Sequence, residues 1–377
     1  MGHPADLSEC SCSRGRTVAL GVDVGADRIT AVLADGRGHV ISSLERPVPG
    51  GCGPDGLRLA EEIAGVIDAL RASTADELLG QGSGGEAEDS AQALPALVVG
   101  VCVPGVVDEN EGWVRHSDAL GLQDVALASL VSRSLATESA ESAGSVKVVL
   151  YQEARCGAWA ESRWGAGGES CLYLTVGAGI SCAVLLDGVP VLGGGWAGQV
   201  GRVLVSDPDW SGERARLEDV ASVDAMVGRY TAGIVDDSVD GPADDSVDGP
   251  GGAASIASPA GSGESDVVVS VRRTGPVASG LDALLSAMRS GDREARRVWD
   301  TGLDALADLI ARGVGLLGPL DVVVGSELTR AGEAVFLEPL RLRVADLMAG
   351  LPVPSLLPAR LGKPASALGA AGRALNG

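Results

Sequence analysis

The chain has 377 residues, with 51 acidic and 29 basic side chains and a formal net charge of −22. That balance argues against nucleic-acid or anionic-membrane binding over the surface at large, because phosphate backbones attract Lys and Arg. Apolar residues make up 45% of a chain long enough for two domains, but there are only six Trp, three Tyr and one Phe, so the cores must be built from Val, Leu, Ile and Ala.

The N-terminal MGHPADLSECSCSRGRT contains no apolar run of the signal-peptide kind, and no run of 18 or more apolar residues is free of interruption. A cytoplasmic protein is expected. Residues 1–16 read as a disordered tail. The seven cysteines are scattered and do not form a disulfide framework; Cys10 and Cys12 read as free thiols.

After the tail, TVALGVD (17–23) and ITAVLAD (29–35) read as strands joined by a short loop, and Asp35-Gly36-Arg37-Gly38 turns the chain into HVISSLE. The spacing of Leu59, Ile63, Val66, Ile67 and Leu70 predicts a helix over 56–73 with one apolar face. A polar connection follows over 77–92. ALVVGVCV (96–103), ending at Pro104-Gly105, and VKVVLY (146–151) have the continuous apolar character of strands buried on both faces. Strand, helix and strand in this order predict an α/β domain. CLYLTVGAGISCAVLL (171–186) reads as two strands around a glycine turn, the start of a second strand-rich block reaching Val205.

Residues 235–266 hold a near-perfect tandem octapeptide, DDSVDGPA then DDSVDGPG, and no Lys or Arg. Too little apolar surface is available there to offset ordering entropy, so an acidic disordered insert is expected. Helical patterns over 281–315, a strand DVVVG (321–325) and a helix near 364–375 complete the chain. His39 and His116 each stand in a polar stretch and read as solvent-exposed.

Two glycine loops, DVGAD (23–27) and LTVGAGIS (174–181), sit between strands, where an Asp can hold hydrated magnesium and backbone amides can meet phosphate. Each alone is equally a hairpin turn. In LYQEARCGAWAE (150–161) an apolar run ends in a carboxylate, Glu153, the placement of a catalytic base.

Taken in order, GVDVGADRITAVLADGRGHVI, VVGVCVPGVVD, LGLQDVALASLV, YQEARCGAWAE, RWGAGGESCLYLTVGAGISCAVLLDGVPVLGGGWAGQVGR, RLEDVAS and ASALGAAGRAL resemble the ROK family of sugar kinases and regulators. The resemblance covers roughly 17–230 and 281–374 and implies an α/β, actin-like ATPase (ribonuclease H-like) fold. Two α/β domains would flank a cleft where ATP and a sugar meet: 17–150 plus 361–377 on the phosphate-loop side, and 151–360 carrying the insert.

By that resemblance Asp23 and Gly25 match the first phosphate loop, Gly177 and Gly179 the second, and Gly325 the adenosine end, while Ala26-Asp27 replace Gly-Thr and add negative charge near the phosphates. Ser181 and Cys182 stand at small glycine-type positions, and Ser326 at a partner glycine. Gln152-Glu153 stand where the family has Asn-Asp, the Asp being its general base. The extra methylene of Glu moves the carboxylate by about 1–1.5 Å, and a misplacement of roughly 1 Å can cost on the order of a hundredfold in rate. Glu153 is therefore a slow base, a sugar ligand only, or a surface-accessible relic.

The family's sugar and metal motif appears as Ala197-Gly198-Gln199-Val200-Gly201-Arg202, leaving Gln152, Glu153, Gln199, Arg202 and Glu218 as the sugar-site positions. Glu218 is otherwise an exposed charge at a helix start. The family's zinc-ligand positions are occupied by Arg202, Asp209, Ser211 and Arg216, so no zinc is expected. Ala119-Leu120-Gly121-Leu122 replace a further polar sugar contact.

The resemblance thus implies a sugar-sensing or otherwise non-catalytic (pseudokinase) protein. The alternative is an active ATP-dependent hexose kinase of glucokinase type, using Mg-ATP and Glu153 as base. A small-molecule sugar is the expected ligand and a homodimer the expected assembly. Family repressors carry a helix-turn-helix ahead of the first phosphate loop; about sixteen residues precede the first strand here, too few for one, so no nucleic-acid partner is expected.

Overall fold

In the computed structural model, which describes residues 18–50, 53–80, 98–138, 146–237 and 277–376, the chain opens with antiparallel strands β1 (Val18–Val24), β2 (Arg28–Asp35) and β3 (Val40–Pro47). Helix α1 (Leu57–Gly80) leads toward β4 (Val98–Val103), which lies parallel to β1. A small antiparallel sheet of β5 (Val106–Asp108), β6 (Trp113–Ser117) and β7 (Leu122–Val125) follows. Helix α2 (Leu127–Glu138) returns the chain to β8 (Lys147–Gln152), parallel to β4. The sheet order β3-β2-β1-β4-β8 puts β1 at the centre with β4 inside the sheet, as the apolar run of β4 requires. It puts β8 at the edge, where the VKVVLY run expected to be buried on both faces is covered only over its second half.

The face predicted for the first helix is the face that packs. Leu59, Ile63, Val66, Ile67 and Leu70 join Leu20, Val22, Ile29, Val99 and Val101 in one core. Each such fully buried Val, Leu or Ile contributes about 1.5–3 kcal/mol relative to exposure. The helix runs on to Gly80, past the expected boundary. The three strands over 106–125 carry no strong alternation and were not foreseen.

Helix α3 (Glu153–Trp164) then crosses to a second sheet with the same plan: β9 (Cys171–Val176), antiparallel β10 (Ile180–Leu186) and the short β11 (Val189–Pro190). A hairpin of β12 (Leu204–Ser206) and β13 (Arg214–Arg216) leads into α4 (Leu217–Ala221) and α5 (Val223–Asp237). After α6 (Val277–Ser290) and α7 (Arg293–Leu317), β14 (Asp321–Ser326) lies parallel to β9. Helix α8 (Leu337–Met348), β15 (Leu356–Pro358) and α9 (Ala365–Asn376) complete the chain, with sheet order β11-β10-β9-β14-β15.

Helix α7 shows how sequence sets the second core. Asp292 caps it by accepting from the Glu294 and Ala295 amides at 2.9 and 3.0 Å. Its buried face, Ala295, Val298, Trp299, Gly302, Leu303, Leu306, Ile310 and Val314, follows the helical period. Gly318, at φ 87°, ends it.

Helices α3 and α9 lie between the sheets: Ala154 and Ala158 of α3 pack with Tyr173 and Ala183 of the second, and Ala367 and Leu368 of α9 pack with Ala19 and Val32 of the first. The fully buried Glu161 carboxylate ties the end of α3 to the approach to α9, accepting from the Ala166, Arg360 and Leu361 amides at 2.8–2.9 Å.

The expected N-terminal tail, Cys10 and Cys12, and most of the expected polar connection and acidic insert lie outside the described residues. Residues 77–80 close α1 and 235–237 close α5, so both boundaries shift. His39 is exposed as expected, though its Nδ1 stands 3.3 Å from Asp35. His116 is not: it is half-buried on β6, with Nε2 2.8 Å from an Asp118 oxygen. Alternation along β6 was too short to reveal that inward turn. Among the described residues, no helix is long and apolar enough to cross a membrane.

Candidate functional site

The C-terminal ends of β1, at the centre of the first sheet, and β8, at its edge, each carry a carboxylate. Asp23 lies near the end of β1, in register with Cys102 of β4, whose thiol donates to Asp23 Oδ1 at 3.3 Å. Glu153 opens α3. Burial raises the Asp23 carboxyl to about 6, against the opposing Cys102 hydrogen bond. Burial, and then the Asp23 charge, raises Glu153 to about 8. Glu153 is half-buried. Carboxyls raised toward neutrality suit a base matched to neutral pH, and in their ionised form the holding of a hydrated divalent cation.

Gln152, 2% exposed, is used structurally at both ends of its amide. Its Oε1 accepts from the Arg155 amide at 2.9 Å, capping α3, and its Nε2 donates to Ser181 Oγ of β10 at 3.3 Å. Ser181, at a glycine-type position by the resemblance, thereby becomes a link between the lobes.

Beneath the pair lies a charge cluster that the sequence reading missed. Glu109, just past β5, accepts from Arg155 at 3.0 Å, from Arg373 of α9 at 2.6 Å and from the Gln152 amide at 3.1 Å. Burial works to raise its carboxyl, but Arg373, Gln152 and Arg155 outweigh it and hold the group below its ordinary value. Arg155 also donates to the carbonyls of Leu192, Gly195 and Ala197. Arg373 stacks over Tyr151, its guanidinium carbon 4.1 Å from the ring centroid. The available signal was Arg155 itself, a lone arginine among the small residues of EARCGAWA.

The remaining sugar-site positions line the meeting of the lobes. Gln199 Nε2 donates to the Gly105 carbonyl at 2.8 Å. The exposed Arg202 donates to Asp118 at 2.9 Å, on the same carboxylate that faces His116. Gly195, at φ 91°, comes so close to the first lobe that a Cβ would lie 2.7 Å from the Val107 carbonyl. Glu218 is half-buried, not an exposed helix-start charge: its Oε2 would lie 3.2 Å from a Cβ on Gly179 and 2.8 Å from one on Gly201. Arg216 pairs with Glu218 at 3.3 Å and with Asp219 at 2.7 Å.

The zinc-ligand positions of the resemblance do not converge. Arg202 turns to the first lobe, and Ser211 lies in the exposed turn between β12 and β13. Asp209 is held by Arg229 and Arg297, each at 2.7 Å. Two arginines in a four-residue donor set cannot bind zinc. Among the described residues no three His, Cys, Asp or Glu side chains group to hold a metal ion.

Both glycine loops close as turns. The Gly25 amide donates to the Arg28 carbonyl at 2.8 Å and the Gly177 amide to the Gly179 carbonyl at 3.0 Å. Ala26 and Asp27 are exposed. Gly325 lies near the end of β14, in register with Thr175 of β9.

The ROK family matches residues 19–376 of the chain. A glucokinase from Thermotoga maritima is 27% identical over 336 residues, 87% of each chain. A putative xylose repressor from Caldicellulosiruptor sp. is 27% identical over 219 residues, 55% of this chain; the chain matches 47% of that relative's length. Among solved structures, a ROK hexokinase from Thermus thermophilus superposes with a TM-score of 0.64 at 24% identity, covering 96% of this chain and 98% of that one. The fold is the mixed α/β, actin-like ATPase fold of those kinases.

Proposed function

The chain belongs to the ROK family, and from that premise we propose that it takes a sugar in the cleft between its lobes without transferring phosphate to it. The observation carrying this reading is the pair of ties at the sugar end, Gln199 to Gly105 and Arg202 to Asp118. Positions that the family uses for sugar and metal chemistry here join the two lobes, so the cleft persists as a structure while its polar contacts for chemistry are reassigned. Glu218 supports the sugar part: it is kept beside the second glycine loop, where its carboxylate can accept from a hydroxyl. On this reading the sugar-end loop folds without zinc, through the ion pairs of Asp209 and Arg216.

A second reading, an ATP-dependent hexose kinase, is favoured by the Asp23 and Glu153 pair. A carboxylate whose pKa lies near neutrality is matched to base catalysis, and Asp23 would hold the magnesium of Mg-ATP.

Titration calorimetry with glucose, xylose, mannose and N-acetylated hexosamines, beside ADP release from Mg-ATP with the same sugars, tests both. Binding of one sugar with no ADP release above that of the Glu153→Ala protein is the expected result. Sugar-dependent ADP release abolished by Glu153→Ala establishes the kinase instead. A folded protein that binds none of these sugars overturns the proposal.

A further inference from the structure

Two thiols adjoin the carboxylate pair, and neither reading of the cleft gives them a role. Cys102 sits on β4, between Asp23 of β1 and Tyr151 of β8 in the sheet register, and Cys156 sits one turn into α3 from Glu153. Both are fully buried and unbridged, and both belong to one small cluster closed by Ala370 and Ala374 of α9. The two thiols hydrogen-bond each other. The other described cysteines, Cys171 and Cys182, lie in the cores against the second sheet.

The pair is asymmetric. The Cys102 thiol donates to Asp23 Oδ1 at 3.3 Å and lies 3.5 Å from the Ser366 carbonyl. Burial, then Cys156 and Asp23, push that thiol well above its ordinary value, so it stays protonated. Cys156 faces a cation instead. Arg373 Nη1 lies 3.9 Å from its Sγ, while the other end of the guanidinium meets Glu109 at 2.6 Å. A cation beside a sulfur favours nucleophilic attack by it, and a second thiol in contact resolves the oxidised product. Asp23, the group that Cys102 bonds, is only half-buried, so the pair adjoins a residue that solvent reaches.

We infer that Cys102 and Cys156 are a redox-active pair, closing to a disulfide when a peroxide oxidises the protein and reopening with a dithiol reductant. The Cys156 sulfur attacks one oxygen of hydrogen peroxide. The O–O bond breaks, leaving Cys156 as a sulfenic acid and releasing one water. Cys102 then attacks the sulfenic sulfur: the S–S bond forms, the S–O bond breaks, and the departing hydroxide leaves with the Cys102 proton as a second water. Each sulfur loses one electron overall and the two peroxide oxygens gain them. The bridge ties β4 to α3 and takes the thiol donor away from Asp23, so oxidation changes how the cleft holds its ligand. That consequence rests on the sugar-binding proposal; the bond itself does not.

The test oxidises the folded full chain with hydrogen peroxide, blocks free thiols, and maps the peptides by mass spectrometry before and after dithiothreitol. A linked pair of peptides carrying Cys102 and Cys156, two hydrogens short and separated by dithiothreitol, is the expected result. In Cys102→Ser, dimedone should trap a sulfenic acid at Cys156. Native oxidation that leaves both thiols free, or that joins either to a different cysteine, overturns the inference, as does dimedone labelling of Cys102 in Cys156→Ser with none of Cys156 in Cys102→Ser. The wild-type map decides the bond even where a variant fails to fold. Calorimetry with the sugars above, on oxidised and reduced protein, reads the consequence: a reversible change in affinity of about threefold or more, the scale of one lost neutral hydrogen bond. Equal affinities with the bridge formed refute the regulatory consequence. A protein that binds none of the sugars fails the sugar-binding proposal and leaves the disulfide to the peptide map.

Discussion

Glu109 and Arg155, 5% and 1% exposed at their side chains, form an ion pair at 3.0 Å in the floor of the interlobe cleft. Glu109 comes from the small β5–β7 sheet, Arg155 from the helix that carries the chain into the second lobe. With Arg373 at 2.6 Å from Glu109, the pair binds three otherwise separate elements at one point. Removing one partner of a buried ion pair leaves its mate charged, desolvated and unmatched.

Glu109→Ala is therefore expected to cost about 3–5 kcal/mol of unfolding free energy. Glu109→Gln, which keeps the shape and some of the hydrogen bonds, is expected to cost less. Urea unfolding followed by circular dichroism measures both. A loss below about 1 kcal/mol in Glu109→Ala, the range of a surface pair, would show that water reaches the cluster.

Glu161 makes a different kind of tie, a fully buried carboxylate on three backbone amides. Glu161→Gln exchanges a two-oxygen acceptor for an amide whose NH2 faces N–H donors. The expected loss is about 2–3 kcal/mol. Hydrogen exchange at the Arg360 and Leu361 amides should quicken in the variant before global unfolding does. Unchanged protection there would contradict the assignment.

The Asp23 and Glu153 pair makes stability depend on pH with a definite sign. Both carboxyls titrate higher in the folded chain than their ordinary values, to about 6 and about 8. The folded state therefore holds more protons than the unfolded one between about pH 4 and pH 8, and stability contributed by the pair falls as pH rises through that window. Glu153→Gln removes most of the effect. Its unfolding free energy should change less between pH 5 and pH 8.5 than the wild type's, by on the order of 1–2 kcal/mol. An identical pH dependence in the two proteins would mean that folding does not raise the Glu153 carboxyl, by burial or by the Asp23 charge.

The Asp209 cluster tests how the sugar-end loop is held. Asp209 meets Arg229 and Arg297, and Arg229 reaches on to the Val220 carbonyl and Thr301. Arg297 is partly exposed, so solvent screens part of the interaction. A double-mutant cycle on Asp209→Ala and Arg229→Ala is expected to give a coupling of about 1 kcal/mol that shrinks in high salt. Destabilisation of the wild type by a zinc chelator would reveal a metal where these ion pairs are expected to serve.

Local pattern alone determined most of the framework. The unbroken apolar run at 98–103 marks a doubly covered strand, and the helical spacing from Leu59 to Leu70 marks the face that packs, because burial of apolar surface follows period and length. The run at 146–151 marks a strand, but one at the sheet edge that is covered only over Leu150–Gln152. The ordered glycine loops mark turns between strands, and Glu153 marks the point where β8 ends and α3 begins. Partnership was decided only by the tertiary structure. Nothing near Arg155 in the chain points to Glu109, 46 residues back, or to Arg373, and nothing near Cys102 points to Asp23, 79 residues back. Whether Gln199 and Arg202 face a ligand or the opposite lobe depends on which acceptors folding brings within about 3 Å. A buried charge or hydroxyl takes its role from the groups that compensate it, and those arrive from distant segments.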